Sequence, residues 1–498
     1  MVKGSDKKDS VKVSKPGDSK SGLGMSHKKN EDFSEWYPEV VQKAELADYS
    51  PVKGFMVIRP NAYYIWQKVQ DYFNERLKVL GVRNAYFPLL IPESFFKKES
   101  EHAQGFSPEV AWIAKEKGDD SERLAIRPTS ETIMYDSYSK WVRSYRDLPL
   151  RINQWANVVR WETKTTRLFL RTREFLWQEG HCVYETKEEC DNETLMYLSE
   201  YANICKELLA LPVIQGIKSE KEKFAGALYT TTIEGIMPDG KSLQCGTSHN
   251  LGQGFAKSFG ISPLGRQGEN ILPWQNSWGI STRLIGATVM THSDDKGLVL
   301  PPRVAYNKVV VVPIYNESNR NVVLKEAKKV VDELSELNPI LDDRDSYSPG
   351  FKFSDWELKG IPLRIEIGPK DIEKKSVVMV KRNNGEKVIV KATEVKKQAN
   401  KILNDIHDEL YKNAMKFLHS KFKDSNNSKD VIKFVDEGFT VLSALCGRKE
   451  CEEEMRTKAD GIKVLMSPIE QTRESLKNKK CTFCTTAAKD WSYIGKSY

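Results

Sequence analysis

VVRWETKTTRLFLRTREFLWQEGH, from Val158 to His181, is the stretch on which the reading of the whole chain turns. It opens with β-branched and aromatic residues around Arg160 and Glu162, passes through Lys164, Thr165, Thr166 and Arg167, and returns as the apolar run Phe175 to Trp177. That order predicts strand, basic loop, strand. Arg160, Arg167, Arg171 and Arg173 crowd this hairpin together with Phe175, Trp177, Glu162 and Glu179. Guanidinium groups are planar, permanently charged and bidentate, so a cluster of them suits a polyphosphate. A purine can lie on Phe175 with an arginine on its other face. A solvated charged hairpin has the same composition, and the order of residues separates the two readings.

Arg-x-Glu (Arg160, Glu162), a polar loop, then Arg-x-x-x-Phe (Arg171, Phe175) resembles motif 2 of the class II aminoacyl-tRNA synthetases. FLRTREFLWQEGH resembles the version carried by the prolyl-tRNA synthetases. The resemblance implies that Arg160 holds the α-phosphate of ATP, Arg171 reaches the γ-phosphate, Glu162 accepts from the adenine amino group and Phe175 stacks on the ring.

The parts that such a hairpin would need lie elsewhere in the chain. At 498 residues it suits about three domains of ~150 residues. Hydrophobic content of 39% and charged content of 29% are those of a globular protein with real cores. No apolar run approaches the ~20 residues that cross a bilayer, and the start, MVKGSDKKDSVKVSKPGDSK, lacks the apolar segment of a secretory signal. The expected location is the cytoplasm, with no membrane partner. A net charge of +8 permits an RNA partner without requiring one. Residues 1–32 are rich in Lys, Ser, Gly and Asp and are expected to form a disordered basic tail.

Ala62, Ile65, Trp66, Val69, Phe73, Leu77 and Leu80 recur at three and four residues, with Gly81 at the expected C-cap, which predicts an amphipathic helix. GVRNAYFPLLIPESFF follows as a strand with Pro88 in its middle, a residue that belongs at a sheet edge or interface. This pair resembles class II motif 1 and implies a homodimer through the region around Pro88. LAIRPTSETIM (Leu124 to Met134) predicts a short strand and a helix start, with Thr129 or Ser130 as cap and Glu131 in the first turn. By resemblance, Thr129 and Glu131 face the imino group of proline.

In SLQCGTSHNLGQ, Thr247 and His249 are two apart and share one face of an extended segment. The resemblance makes Thr247 and His249 part of a proline pocket with Trp177, Glu179, His181, Arg160 and Ser281, and adds Gln244 and Thr247 to the ATP contacts. NSWGISTRLIGATVMTH places Gly279, Ser281, Arg283 and Gly286 on a strand entering a helix, where glycine admits a ligand closely and Arg283 can stack on adenine. It resembles motif 3. Arg160, Arg171 and Arg283 are the expected catalytic residues. The short interval between the hairpin and SLQCGTSHNLGQ leaves little room for the large editing insertion of bacterial-type prolyl enzymes, so the resemblance is to the eukaryotic and archaeal type.

From about Val304 strands alternate with helices, an α/β pattern. DDRDSYSPGFKFSDWELKG mixes charges with aromatics, a composition suited to splayed RNA bases. Similarity to the anticodon-binding domain of the prolyl, threonyl, glycyl and histidyl enzymes directs attention to Lys352, Glu366 and Arg382. Finally, CGRKEC (Cys446, Cys451) and CTFC (Cys481, Cys484) are two close pairs, the spacing of a closed four-thiolate zinc site rather than of disulfides in a chain without a leader. The final tyrosine fits a family that ends in one, its carboxylate near the active site.

The expected architecture is an α+β class II synthetase catalytic domain, an antiparallel sheet flanked by helices, over residues 33–303. An α/β anticodon-binding domain follows over 304–410 and a small α/β zinc-binding domain over 411–498. The resemblance implies ATP-dependent activation of L-proline and its transfer to tRNA(Pro), with ATP and Mg2+ in catalysis and Zn2+ in structure. The rivals are a class II synthetase for threonine, serine or glycine, a non-catalytic tRNA-binding paralogue and a zinc-dependent scaffold.

Overall fold

The computed structural model describes residues 24–100, 109–116, 118, 120–161, 165–471 and 473–498. Its centre is an eleven-stranded sheet. Seven of those strands form the sheet of the first domain, in the order Ile214–Ile217, Tyr229–Ile236, Ser242–Gly252, Trp274–Ser281, Glu174–Tyr184, Leu150–Val159 and Arg83–Asn84. All neighbours are antiparallel except the last pair, where Arg83–Asn84 runs parallel to Leu150–Val159.

The amphipathic helix expected after Arg59 spans Pro60–Val79 and buries Ala62, Ile65, Trp66, Val69, Phe73 and Leu77. Helices Lys187–Glu207 and Arg283–His292 cover the same side of the sheet, and together they make the largest core. The strand predicted around Pro88 is two strands. Pro88 lacks an amide hydrogen, and the ladder stops before it: Arg83–Asn84 stays on the main sheet, while Leu90–Pro92 pairs with Leu124–Ile126. Residues 185–241 hold one long helix and two sheet strands, so no inserted domain follows the hairpin.

Residues 1–23 of the expected tail lie outside the described residues. Residues 24–32 are ordered, contrary to expectation. The backbone amides of Ser26 and His27 donate to Glu39 at 2.8 and 2.9 Å, and the Lys29 ammonium reaches the carbonyls of Thr291 and Ser293 at 3.2 and 2.7 Å.

A mixed five-stranded sheet makes the second domain, with Val309–Pro313 parallel to Ile340–Leu341 and Leu363–Ile367, and Ser376–Lys381 and Lys387–Lys391 antiparallel beyond them. The boundary expected at residue 410 falls inside helix Val395–Ser420, whose Ile402, Ile406 and Leu410 pack into this domain's core. The third module is not a separate body. Its strand Lys463–Pro468 pairs antiparallel with Ile214–Ile217 of the first domain's sheet, and Lys218 donates to Leu465 O at 2.9 Å across the seam. Among the described residues no helix is long and apolar enough to cross a membrane.

Close packing behind the sheet is tightest at one glycine. Trp278 stands directly opposite Gly180, its ring stacked 3.9 Å from that of Tyr197. A Cβ on Gly180 would meet three ring carbons of Trp278 at 2.1 to 2.3 Å. Gly180→Ala is therefore expected to destabilise the protein by about 1–3 kcal/mol, read as a lower thermal midpoint. An unchanged midpoint would show that the indole can move aside.

Candidate active site

Strand Glu174–Tyr184 sets the site through its two-residue period. Phe175, Trp177, Glu179 and His181 project to the face away from the covering helices, while Gln178, Gly180 and Cys182 turn toward them, where Gln178 meets Tyr201 and Cys182 joins the core. Register then extends this face sideways. Glu179 is paired with Gly279, which is paired with Thr247; His181 is paired with Ser277, which is paired with His249. Residues opposite one another in adjacent strands share a face, so these rows form a floor three strands wide. Trp177 leans over Gly279, where a Cβ would lie 2.7 Å from the indole nitrogen.

Above this floor is a cavity of about 710 Å³. Thr129, Glu131, Arg160, Arg171, Phe175, Trp177, Glu179, His181, Gln244, Thr247, His249, Ser281 and Arg283 all line it. The sequence expectation for Glu162 lies outside the described residues. Of the four hairpin arginines, Arg160, Arg167 and Arg171 reach the cavity. Arg173 does not: it lies 4.4 Å over the ring of Trp161 and donates to Lys53 O at 3.3 Å. Arg160 sits between two aromatic faces, 5.5 Å from the ring of Phe175 and 5.2 Å from that of Trp177, and donates to Pro128 O at 3.1 Å. Arg283 donates to Leu170 O at 3.1 Å and Gln244 O at 3.2 Å, so its guanidinium is aimed before any ligand arrives. Its burial, with the neighbouring charges of Arg160 and Arg171, lowers its pKa.

At the opposite end are the polar groups expected to take proline. Ser130 begins helix Glu131–Trp141, yet its hydroxyl does not cap it. The hydroxyl and amide of Ser130 both donate to Glu179, at 2.5 and 3.1 Å, and the Gln154 amide donates to Glu179 at 3.1 Å. His181 Nε2 is 3.2 Å from Glu179, its Nδ1 is 3.1 Å from the Tyr135 hydroxyl, and Thr129 is hydrogen-bonded to Glu131. Burial alone would raise the Glu179 carboxyl, but the hydrogen bond and charge of His181, with Ser130 and Gln154, hold it below the usual range. Burial works against the His181 imidazolium too, but the hydrogen bond to Glu179 and the carboxylates of Glu131 and Glu179 raise its pKa. His249 is pushed down to about 3 by burial and by the charges of His181 and Arg160. It is a neutral ring at pH 7, held by Thr230 at 2.9 Å.

Sequence reasoning missed Ser130, Gln154, Thr230 and Phe224, which lies 5.0 Å from the His249 ring. Gln154 left only a weak signal, as one of three amides, with Asn153 and Asn157, in strand Leu150–Val159. Tyr498 lines the cavity. Its amide donates to Ser242 O at 3.1 Å and its hydroxyl to Asp239 at 2.9 Å.

Away from the cavity, the sulfurs of Cys446, Cys451, Cys481 and Cys484 lie within 4.8 Å of one another. Cys451 and Cys481 are 3.7 Å apart, and Cys446 and Cys484 3.5 Å. A zinc tetrahedron with Zn–S bonds of about 2.3 Å has edges of about 3.8 Å, so the four thiols fit that ion. The three residues expected at the anticodon turn inward instead. The Lys352 ammonium donates to Asp342 O at 3.0 Å, Glu366 accepts from Arg364 at 3.0 and 3.1 Å, and Arg382 grips Asp294 at 2.7 and 2.8 Å. All three are buried and already paired within the chain.

The sequence matches three family descriptions: "tRNA synthetase class II core domain (G, H, P, S and T)" over residues 112–292, "Anticodon binding domain" over 308–402 and "Prolyl-tRNA synthetase, C-terminal" over 428–498. A proline-tRNA ligase of Alkaliphilus oremlandii is 49% identical over 472 residues, 94% of this chain and 96% of its own. One from Natranaerobius thermophilus is 49% identical over 436 residues, 86% and 90% of the two chains. One from Clostridium botulinum strain Loch Maree is 46% identical over 473 residues, 94% and 97%. These relatives are bacterial and nearly the same length, so the compact form is not confined to eukaryotes and archaea.

The Glu179–His181 pair carries a pH signature. Glu179 contributes stability above the unfolded carboxyl value of about 4.3 and loses it as pH falls through its depressed folded value. His181 contributes fully below about 6.5 and loses its part as pH rises through its raised folded value. The thermal midpoint lost in His181→Asn should therefore be greatest between about pH 4.3 and 6.5 and shrink above that window. A deficit constant with pH would mean that the imidazole carries no proton in the fold.

Proposed function

The chain belongs to the proline-tRNA ligases, class II aminoacyl-tRNA synthetases that take ATP, proline and tRNA, and from that premise we propose how its cavity divides the work. Arg160, Arg171 and Arg283 hold the triphosphate, with Phe175 beneath the adenine and Gln244 and Thr247 at its margin. Thr129, Glu131, Glu179, His181, Thr247, His249, Trp177 and Ser281 enclose proline. One observation carries this reading: guanidinium groups from two separate segments enter the same cavity as the Glu131, Glu179 and His181 cluster. Two carboxylates against a single imidazole favour a cationic ring nitrogen, and Arg160 favours the carboxylate one atom further on.

In the first step an oxygen of the proline carboxylate bonds to the α-phosphorus while the bond to the bridging oxygen breaks, and pyrophosphate leaves. The nucleophile is already an anion, so little proton chemistry is needed. The barrier falls because two anions are held in line and the charge spreading over the phosphate oxygens meets fixed cations. Mg2+ arriving with ATP neutralises part of the phosphate charge. In the second step the terminal ribose hydroxyl of tRNA(Pro) takes the prolyl group and AMP leaves. The neutral His249 leaves one cation fewer beside the substrate's own ammonium.

Cys446, Cys451, Cys481 and Cys484 would hold Zn2+ with four thiolates, a closed set that would serve structure rather than chemistry. A homodimer forms through the region around Pro88, where Tyr86 and Trp141 are 72% and 49% exposed. For anticodon bases, the exposed Tyr347, stacked on Phe351 at 4.3 Å with Arg344 5.1 Å from its ring, is a better platform than the three buried residues.

Arg160→Ala is expected to cut proline-dependent ATP–pyrophosphate exchange at least about a hundredfold with an unchanged melting profile, and exchange across the other amino acids should single out proline. Near-normal exchange in the variant would remove the hairpin from the chemistry. Chelation of zinc, or Cys484→Ser, should loosen residues 428–498, seen as faster proteolysis there. Intact protection after the metal is stripped would assign the cysteines another role.

A further inference from the structure

Arg382 was expected at the RNA and is found between domains. It emerges at the end of strand Ser376–Lys381 in the second domain and grips Asp294 with two hydrogen bonds. Asp294 lies in the turn that follows helix Arg283–His292 of the catalytic domain. The same guanidinium donates through Nε to Glu357 O at 2.7 Å, at the end of helix Pro349–Leu358. The two segments meet at three further points. Leu298 N donates to Leu358 O at 3.0 Å, Lys296 lies 3.3 Å from the Glu357 carboxylate, and a Cβ on Gly297 would strike Leu358 at 2.7 Å. The turn is also held from its other side, since Lys29 N donates to Asp295 at 2.7 Å and the Trp36 indole to Asp294 O at 3.2 Å.

The geometry points to Arg382 as a positioning residue for aminoacyl transfer: it rivets the end of helix Pro349–Leu358 to the turn closing helix Arg283–His292, so that movement of the first helix is delivered to Arg283 in the ATP cavity. Each helix is ten residues long, a rod of about 15 Å, and displacement at one end is passed on rather than absorbed. Arginine suits the task because its fork grips a carboxylate and a carbonyl at once, which an ammonium does not match in geometry. The inference rests on the reading that the second domain receives the anticodon.

The test uses the full-length protein with intact tRNA(Pro) and with a truncated tRNA lacking the anticodon arm. Arg382→Met is expected to lower kcat for charging intact tRNA about tenfold, with KM for tRNA and tRNA-independent pyrophosphate exchange within about twofold of the parent. Charging of the truncated RNA should be equal in the two proteins, since it has no anticodon arm to engage the helix. Arg382→Lys should fall between, and Asp294→Asn should reproduce the split from the other side. A parallel loss of exchange would make the pair merely structural, a change confined to KM would make Arg382 an RNA contact, and an unaltered kcat would leave it idle; each overturns the inference. A parent protein that charges neither RNA overturns the tRNA reading along with it.

Discussion

Cross-strand register at the centre of the sheet is the constraint on which everything else depends. Thr247, Gly279 and Glu179 form one row, and His249, Ser277 and His181 the next, because three neighbouring strands pair antiparallel in one alignment. A slip of one residue would send Glu179 and His181 into the helices behind, or carry Trp278 and Ile280 into the cavity. The apolar packing on the rear face, with Trp278 over Gly180 and against Tyr197, therefore specifies the chemistry on the front. The same alternation explains why so polar a floor is tolerated. Ser130, Gln154 and Tyr135 reach in from neighbouring elements to satisfy Glu179 and His181, groups too costly to bury alone.

Much of this was legible in the sequence, for physical reasons that differ from place to place. The hairpin, the amphipathic helix and the alternating strands and helices of the second domain follow from periodicity, which reports burial directly. The thirteen cavity residues named beforehand that can be located all line it, because their motifs constrain backbone and chemistry together. The split at Pro88 was half visible: proline announces a lost ladder bond but not which sheet each fragment joins. Ser130 looked like a helix cap, and only the fold brings Glu179, 49 residues away in sequence, within reach of its hydroxyl.

Charged residues were the least legible. Lys352 stands among aromatics in a segment that reads as an RNA-facing surface, and Glu366 and Arg382 were singled out by family similarity, yet each is buried against an opposite charge or a carbonyl. A sequence displays charge and conceals pairing, and a guanidinium satisfied by a distant carboxylate is written no differently from a free one. Arg173, turned onto Trp161 while its neighbours face the cavity, is the same lesson within a single hairpin. The join between catalytic sheet and cysteine module was equally hidden, since a four-residue strand such as Ile214–Ile217 gives too short a pattern to name its neighbour.

That join has a consequence for biogenesis. Lys218 and Leu465 are 247 residues apart in sequence, yet they meet at the edge where two blocks of strands become one. Until the later block has been synthesised and docked, Ile214–Ile217 offers an open row of amides and carbonyls to any passing strand, the situation in which nascent chains aggregate. Truncation ahead of residue 463 would make that transient hazard permanent.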